Sequence, residues 1–414
     1  MALLTLPTRR DMLLGSGALF AWAYTPKLAR AEGRDPRVLV LVLRGALDGL
    51  AMVAPVGDPA WIALRGDRAL VLDGNTPALP LDSFFALNPA MPNLHRLYQA
   101  RQALFVHASA TPYRERSHFD GQDVLESGLT KPGPSDSGWL NRALSLLAAD
   151  GRLNPKGSRA LAVGPVTPLV VRGPAPVMSW APQRLLPASD DTQMRLLDLY
   201  RHTDPKLARA LEGRRDLASL TPSGGMASMP EQEEAAAAGF ARLREYVSTV
   251  AGSAARYLAQ PDGPRVGAAS VVGWDTHINE GAANGQLAAL LGVLDVAIVA
   301  IEKAMGEAWS ETVVAIVTEF CRTARINGND GTDHGTGTVS VLVGGALQGG
   351  RVIANWPGLR TADLYEGRDL KPTIDLRAVL KGVLKDHLRV DEHALAATVF
   401  PGSDDVKPMA ELLA

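Results

Sequence analysis

Two histidines and several acidic residues stand a few positions beyond runs of β-type apolar residues. Asp48 follows the run 38–43, and Asp275 and His277 follow 266–272 within Gly273-Trp274-Asp275-Thr276-His277. Glu319 and Arg322 follow 312–318, and Asp333 and His334 lie in the glycine-rich stretch 327–337. In an open α/β sheet, ligands bind beyond the carboxyl ends of the strands. Imidazoles and carboxylates converging there form a divalent-cation set. Mixed nitrogen and oxygen donors suit zinc, manganese or iron, and the carboxylate-rich parts tolerate magnesium or calcium. Asp48, Asp275, His277, Glu319 and His334 are the expected ligands, with Asp333 in reserve.

Ser117, in Arg114-Glu115-Arg116-Ser117-His118-Phe119-Asp120, stands where a helix should begin. A hydroxyl at that end lies in a positive field, and a nearby metal would favour its deprotonation, so Ser117 is the nucleophile candidate. Arg322 is the candidate for stabilising substrate oxygens. Each residue also has a plainer reading. Asp48 and Ser117 can be helix caps, Glu319 and Arg322 an ion pair, and Asp275-x-His277 a turn aspartate beside a satisfied histidine. What favours the site is that four separate segments bring such groups to one edge. His95, His202, His387 and His393 fall in helical or polar stretches and are expected at the surface. His107, at a strand end, is within reach of a supporting role.

The elements that must position these groups alternate between strand and helix. Apolar runs at 38–43, 103–108, 266–272, 312–318 and 339–343 read as strands buried on both faces. Segments 117–127, 138–150, 286–307 and 376–387 read as helices, and an acidic, alanine-rich helix begins at Glu231. The fold class is therefore α/β, with a mainly parallel central sheet flanked by helices. Residues 32–414 are expected to form a single domain. Its proline-rich, irregular part at about 165–230 is expected as a cap or insertion, broken at 221–230 by Gly, Ser, Met and Pro.

Residues 1–31 have the layout of a cleaved signal. Arg9 and Arg10 precede a short apolar run at 12–24, and Ala29-Arg30-Ala31 offers a small-x-small cleavage site. The paired arginines point to the twin-arginine route, which carries folded proteins, and hence to a periplasmic or otherwise exported location. Removing Arg9, Arg10, Lys27 and Arg30 together with Asp11 takes the formal net charge from -2 to -5. That mildly acidic balance argues against nucleic acid and against an anionic membrane surface. No later stretch reads as a stable membrane span. The single cysteine, Cys321, excludes an internal disulfide, so the core must supply the stability, and 46% hydrophobic residues suffice.

Arg44-Gly-Ala-Leu-Asp-Gly-Leu, Ser117-His-Phe-Asp, Gly138-Trp-Leu, Gly273-Trp-Asp-Thr-His, Thr318-Glu-Phe-Cys-Arg-Thr, Thr332-Asp-His-Gly and Gly349-Gly350 together resemble the domain-of-unknown-function family numbered 1501. The motifs follow the family order from about residue 36 to 360. That family is grouped with the alkaline phosphatase and sulfatase superfamily, whose members hydrolyse phosphate or sulfate esters at a metal centre. The resemblance implies that Asp48 is the ligand after the first strand and Ser117 the nucleophile. It implies Asp275 and His277 as a ligand pair, Glu319 in the place of the next aspartate, and His334 as the last ligand. There are departures. Ala46 and Leu47 replace a glycine and an asparagine of the family's usual first motif, and Cys321 replaces a glycine. Glu319-Phe320 stands where the superfamily has Asp-His, which removes one metal subsite.

The expected function is a periplasmic metal-dependent hydrolase of phosphate or sulfate esters, with Ser117 attacking in line. Its partners would be a small anionic ester and the twin-arginine export machinery. The alternative is a non-catalytic exported binding or assembly protein that keeps the fold with a degraded or structural metal site and takes an exported protein as partner.

Overall fold

A run of alternating valine and leucine has apolar side chains on both sides of its pleat, so it is stable only where both faces are covered. A computed structural model describes residues 34–151, 160–164, 166–181, 190–204 and 229–414. In it, that run is strand β1 (Arg37–Arg44). Val38, Val40 and Val42 enter one core with Leu140, Leu144, Leu380 and Leu384. Leu39, Leu41 and Leu43 enter another with Leu94, Leu287, Leu291 and Leu294. Each fully buried side chain of this size contributes about 1.5–3 kcal/mol. The order of both cores around β1 thus follows directly from its alternation.

Eleven further strands are described: β2 (Val53–Ala54), β3 (Leu79–Pro80), β4 (Ala86–Leu87), β5 (Ala103–Ala110), β6 (Ala160–Val163), β7 (Val177–Trp180), β8 (Val266–Val272), β9 (Thr312–Thr318), β10 (Thr338–Val343), β11 (Arg351–Ile353) and β12 (Ile374–Asp375). Among the described residues a nine-stranded sheet runs in the order β11-β5-β10-β9-β1-β8-β6-β7, with β12 also on β5. β10 is antiparallel to both neighbours, and every other pairing in this sheet is parallel. β2, β4 and β3 form a small antiparallel sheet. The fold is α/β, with a mainly parallel central sheet flanked by helices. β1, β5, β8 and β9 end at the same edge, where β10 begins.

The expected helices are present as His118–Ser127, Trp139–Ala149, Gln286–Met305 and Leu376–Asp386. The helix expected from Glu231 runs Met229–Ala259. Residues 37–414 form one compact unit, and no helix among the described residues is long and apolar enough to cross a membrane. The signal expected at 1–31 lies outside the described residues, as do parts of the expected cap, residues 165, 182–189 and 205–228. Within that range Val177–Trp180 is no cap. It is the edge strand β7, pairing with β6 in the main sheet. His387, expected at the surface, is buried, because the C-terminus of helix Leu376–Asp386 turns it beneath the sheet to bond Arg37 O and Glu311 O.

Candidate metal centre

Three of the loops at the shared sheet edge converge, the one between β9 and β10 contributing from both of its ends. β5 leads through 111–117 to His118, the first residue of helix His118–Ser127. β8 leads to Asp275 and His277, β9 leads to Glu319 and Arg322, and the approach to β10 carries His334. Close contact between the loops depends on glycine at two points. Gly45 has φ +117, and a Cβ there would lie 2.6 Å from Asp275 N. At Gly331 a Cβ would lie 2.3 Å from His277 O. Backbone bonds then zip the β8 loop to the β9 loop: Thr332 N to Thr276 O, 3.1 Å, and Glu280 N to Asp330 O, 3.0 Å. A short bridge between Arg322 and His334 fixes the far side.

His118, Asp275 and His334 each offer one ligand atom within 4.8 Å of the others. His334 Nε2 lies 2.9 Å from His118 Nε2 and 3.0 Å from His277 Nε2. Asp275 Oδ1 lies 3.0 Å from His277 Nε2, 3.2 Å from His334 Nε2 and 3.5 Å from His118 Nε2. The outer nitrogen of each ring faces an acceptor. His118 Nδ1 is 2.8 Å from Glu319 Oε1, His334 Nδ1 is 3.0 Å from Arg116 O, and His277 Nδ1 is 3.3 Å from Asp333 Oδ1. A carbonyl or ionised carboxylate can only accept, so in the neutral rings the proton belongs on Nδ1 and the Nε2 lone pairs point inward.

Each support has a local cause. Phe320 stacks on the His118 ring at 4.9 Å. Glu319, fully buried, also accepts from Gly45 N and Gln122 Nε2. Burial disfavours its charge, but the bonds from His118 and Gln122 outweigh this and hold its carboxyl below the usual range. Arg116 has φ +61, an unfavourable backbone state for a residue with a Cβ, of the kind that collects at functional sites. It delivers its carbonyl to His334. Burial opposes charge on His118 too, yet the bonds to Asp275 and Glu319 win and the imidazole is pushed up to about 9. Asp275 is held well below the usual carboxylate range: burial resists, but His118, His334 and Arg322 prevail.

Several expected site residues are placed differently. Asp48 is fully buried and outside this cluster. Its Oδ1 caps helix Gly49–Met52 through Leu50 N and Ala51 N, and its carboxylate pairs with Arg65 at 2.5 Å. Arg322 is 0% exposed: it spends its guanidinium on Asp275 Oδ1 at 2.5 Å and on the hydroxyl and carbonyl of Thr332. It orients Asp275 and has no surface to offer a substrate. Glu319 likewise reaches the cluster only through His118. Ser117 is the N-cap of helix His118–Ser127, its hydroxyl accepting a long bond, 3.5 Å, from Asp120 N. Cys321 is a buried thiol pushed up to about 12 by burial and by Asp48, so it stays protonated. The residue that sequence reasoning missed is His118. Its signal was available: an imidazole in the first turn of a capped helix, beside the chosen serine.

The chain matches the family described as "Protein of unknown function (DUF1501)" over residues 100–399. The chain belongs to that family. The match takes in His118, Asp275, His277, Glu319, Arg322 and His334, and Asp48 lies before it. No curated protein sequence matches this family member. Among solved structures it is similar to the C-terminal periplasmic domain of EcEptC from Escherichia coli, in complex with Zn, at 9% identity and TM-score 0.35, covering 75% of this chain and 74% of that one. It is also similar to the phosphonate monoester hydrolase of Agrobacterium radiobacter, at 12% identity and TM-score 0.30, covering 77% and 70%. A third is the PsFucS1 sulfatase from Pseudoalteromonas sp., at 14% identity and TM-score 0.34, covering 84% and 68%.

Proposed function

We propose that this chain is a metal-dependent hydrolase of phosphate or sulfate esters that works outside the cytoplasm. One observation carries the metal. Three imidazoles, each anchored through Nδ1 to an acceptor, turn Nε2 toward a single oxygen of an ionised carboxylate. Electron-rich atoms so close need a cation among them, either a proton on the raised His118 or a metal ion in its place, and anchoring of the outer nitrogen is the habit of metal-bound histidine. Donor atoms sharing one ion at about 2.0–2.1 Å stand roughly 3–3.5 Å apart, so the donor set fits.

In this reading His118, Asp275 and His334 hold the ion, with His277 beside them. Glu319 keeps His118 in the right tautomer, Arg116 O does so for His334, and Asp333 for His277. Arg322 fixes the carboxylate of Asp275. Asp48 supports the loop from below with Arg65. A bound zinc, manganese or iron ion, which suits an imidazole-rich set better than calcium does, would supply Lewis-acid charge stabilisation to an ester oxygen. Ser117, adjacent to His118 at the positive end of its helix, offers its hydroxyl as nucleophile. The ester class is supported by the motifs Ser117-His-Phe-Asp and Gly273-Trp-Asp-Thr-His. The exported location is supported by the layout of residues 1–31.

The second reading, a metal site without turnover, is favoured by the Asp48–Arg65 pair and by the capping role of Ser117. Metal analysis with assays on aryl phosphates and aryl sulfates separates the two. Ser117→Ala should lower turnover by roughly 10³-fold or more while leaving the metal bound. Unchanged turnover removes the serine from the mechanism, and a metal-loaded but inactive wild type supports the second reading.

A further inference from the structure

Glu280 is fully buried beneath the two loops that carry Asp275, His277 and His334. Its Oε1 and the buried hydroxyl of Thr276, which lies between Asp275 and His277 in sequence, make no well-formed hydrogen bond, although the hydroxyl stands close enough to favour the charge of Glu280. Burying a carboxylate with an unmet oxygen is costly, so its retention calls for a reason. Burial and the neighbouring charge of Asp48 push Glu280 upward against the pull of Arg65; Oε1, without a well-formed bond, is the oxygen that would take a proton, which leaves Oε2 an acceptor.

The other oxygen ends a chain whose direction is fixed. Arg322 Nη1 donates to Asp275 Oδ1 at 2.5 Å, and Arg322 Nε donates to Thr332 Oγ1 at 3.1 Å. A guanidinium cannot accept, so the single hydroxyl proton of Thr332 goes to Glu280 Oε2, 2.7 Å away. Glu280 is thus the terminal acceptor that keeps Thr332 receptive to Arg322, and Arg322 is what holds Asp275. The backbone doubles the connection. Glu280 N donates to Asp330 O and Leu287 N to Glu280 O, so the same residue ties the β8 loop to the β9 loop and to the start of helix Gln286–Met305.

We infer that the Thr332 hydroxyl, held by Glu280, positions the metal donor Asp275 through the guanidinium of Arg322. The inference rests on the metal reading above. It assigns a role to two buried groups, Glu280 and Thr332, and places the control of donor geometry in the interior.

The test is zinc affinity, measured by competition with a chromophoric chelator on the full folded chain. Thr332→Val keeps the shape and removes the hydroxyl, and should weaken zinc binding by about 10–100-fold, the usual effect of losing an outer-shell partner. Thr332→Ser restores the hydroxyl and should recover most of that loss. A merely structural role for the side chain would not follow the hydroxyl in this way. If Thr332→Val fails to fold, Thr332→Ala carries the same comparison. Wild-type affinity in a folded hydroxyl-free variant overturns the inference while leaving the metal reading intact. Absence of zinc uptake by the wild type overturns both.

Discussion

Two acidic residues, Asp48 and Asp275, follow neighbouring parallel strands and end in opposite circumstances. Asp48 has its own cation: Arg65 lies against it, two backbone N–H groups cap it, and none of it reaches solvent. Asp275 has Arg322 on one side, but its Oδ1 also faces the Nε2 atoms of three imidazoles, and its side chain is 43% exposed. The first constellation is closed by the protein itself. The second is electron-rich and open. A strand-end carboxylate therefore becomes a candidate ligand only where the fold withholds an internal counter-charge sufficient to satisfy it.

That contrast breaks most visibly in a double variant. Asp275→Ala with His334→Ala should reduce bound metal from about one equivalent to none, read by elemental analysis, with the fold retained. Full metal retention would dissolve the distinction between the two carboxylates. Asp48→Ala should do the reverse. It strands Arg65 in the interior and should cost about 3–5 kcal/mol in denaturant unfolding, with metal content unchanged. Loss of metal without loss of stability would move Asp48 into the site.

A smaller effect sharpens the comparison among the histidines. His107 is fully buried, its Nε2 donating to Val53 O and its Nδ1 accepting from Ala108 N, so both nitrogens are already spent. Burial drops it to about 4 from the ordinary 6.5. The unfolded chain therefore takes up the proton first as pH falls, and stability declines between about 6.5 and 4. The loss is complete below that window, absent above it, and amounts to about 3 kcal/mol. Unfolding at pH 7, 5 and 4 should show this decline, and His107→Gln should flatten the part due to this group.

Much of this organisation was legible in the chain. Strands β1, β5, β8, β9 and β10 declare themselves because a strand covered on both faces needs a continuous apolar run, and their ends located Asp275, His277 and His334. β6, β7, β11 and β12 did not, being two to four residues long at or near the sheet's edges and lacking such a run. Val177–Trp180 was further hidden by prolines on either side. Asp48 looked like a ligand because its counter-ion, Arg65, stands seventeen residues away in an unpatterned helix. Arg322 looked like a substrate contact because burial cannot be read from charge. His118 was overshadowed by Ser117, whose capping position drew attention to the hydroxyl rather than to the ring beside it.

The order of the central sheet also bears on how the chain is made. β1 lies between β8 and β9, so its edges stay unpaired until Val266 and the residues after it have been synthesised. At ~5–20 residues per second, that leaves an apolar strand without neighbours for roughly 10–45 s. During this interval the nascent chain presents two bare strand edges, a template for wrong pairing with other chains. Shielding of this segment during translation then bears on the yield of correctly folded protein.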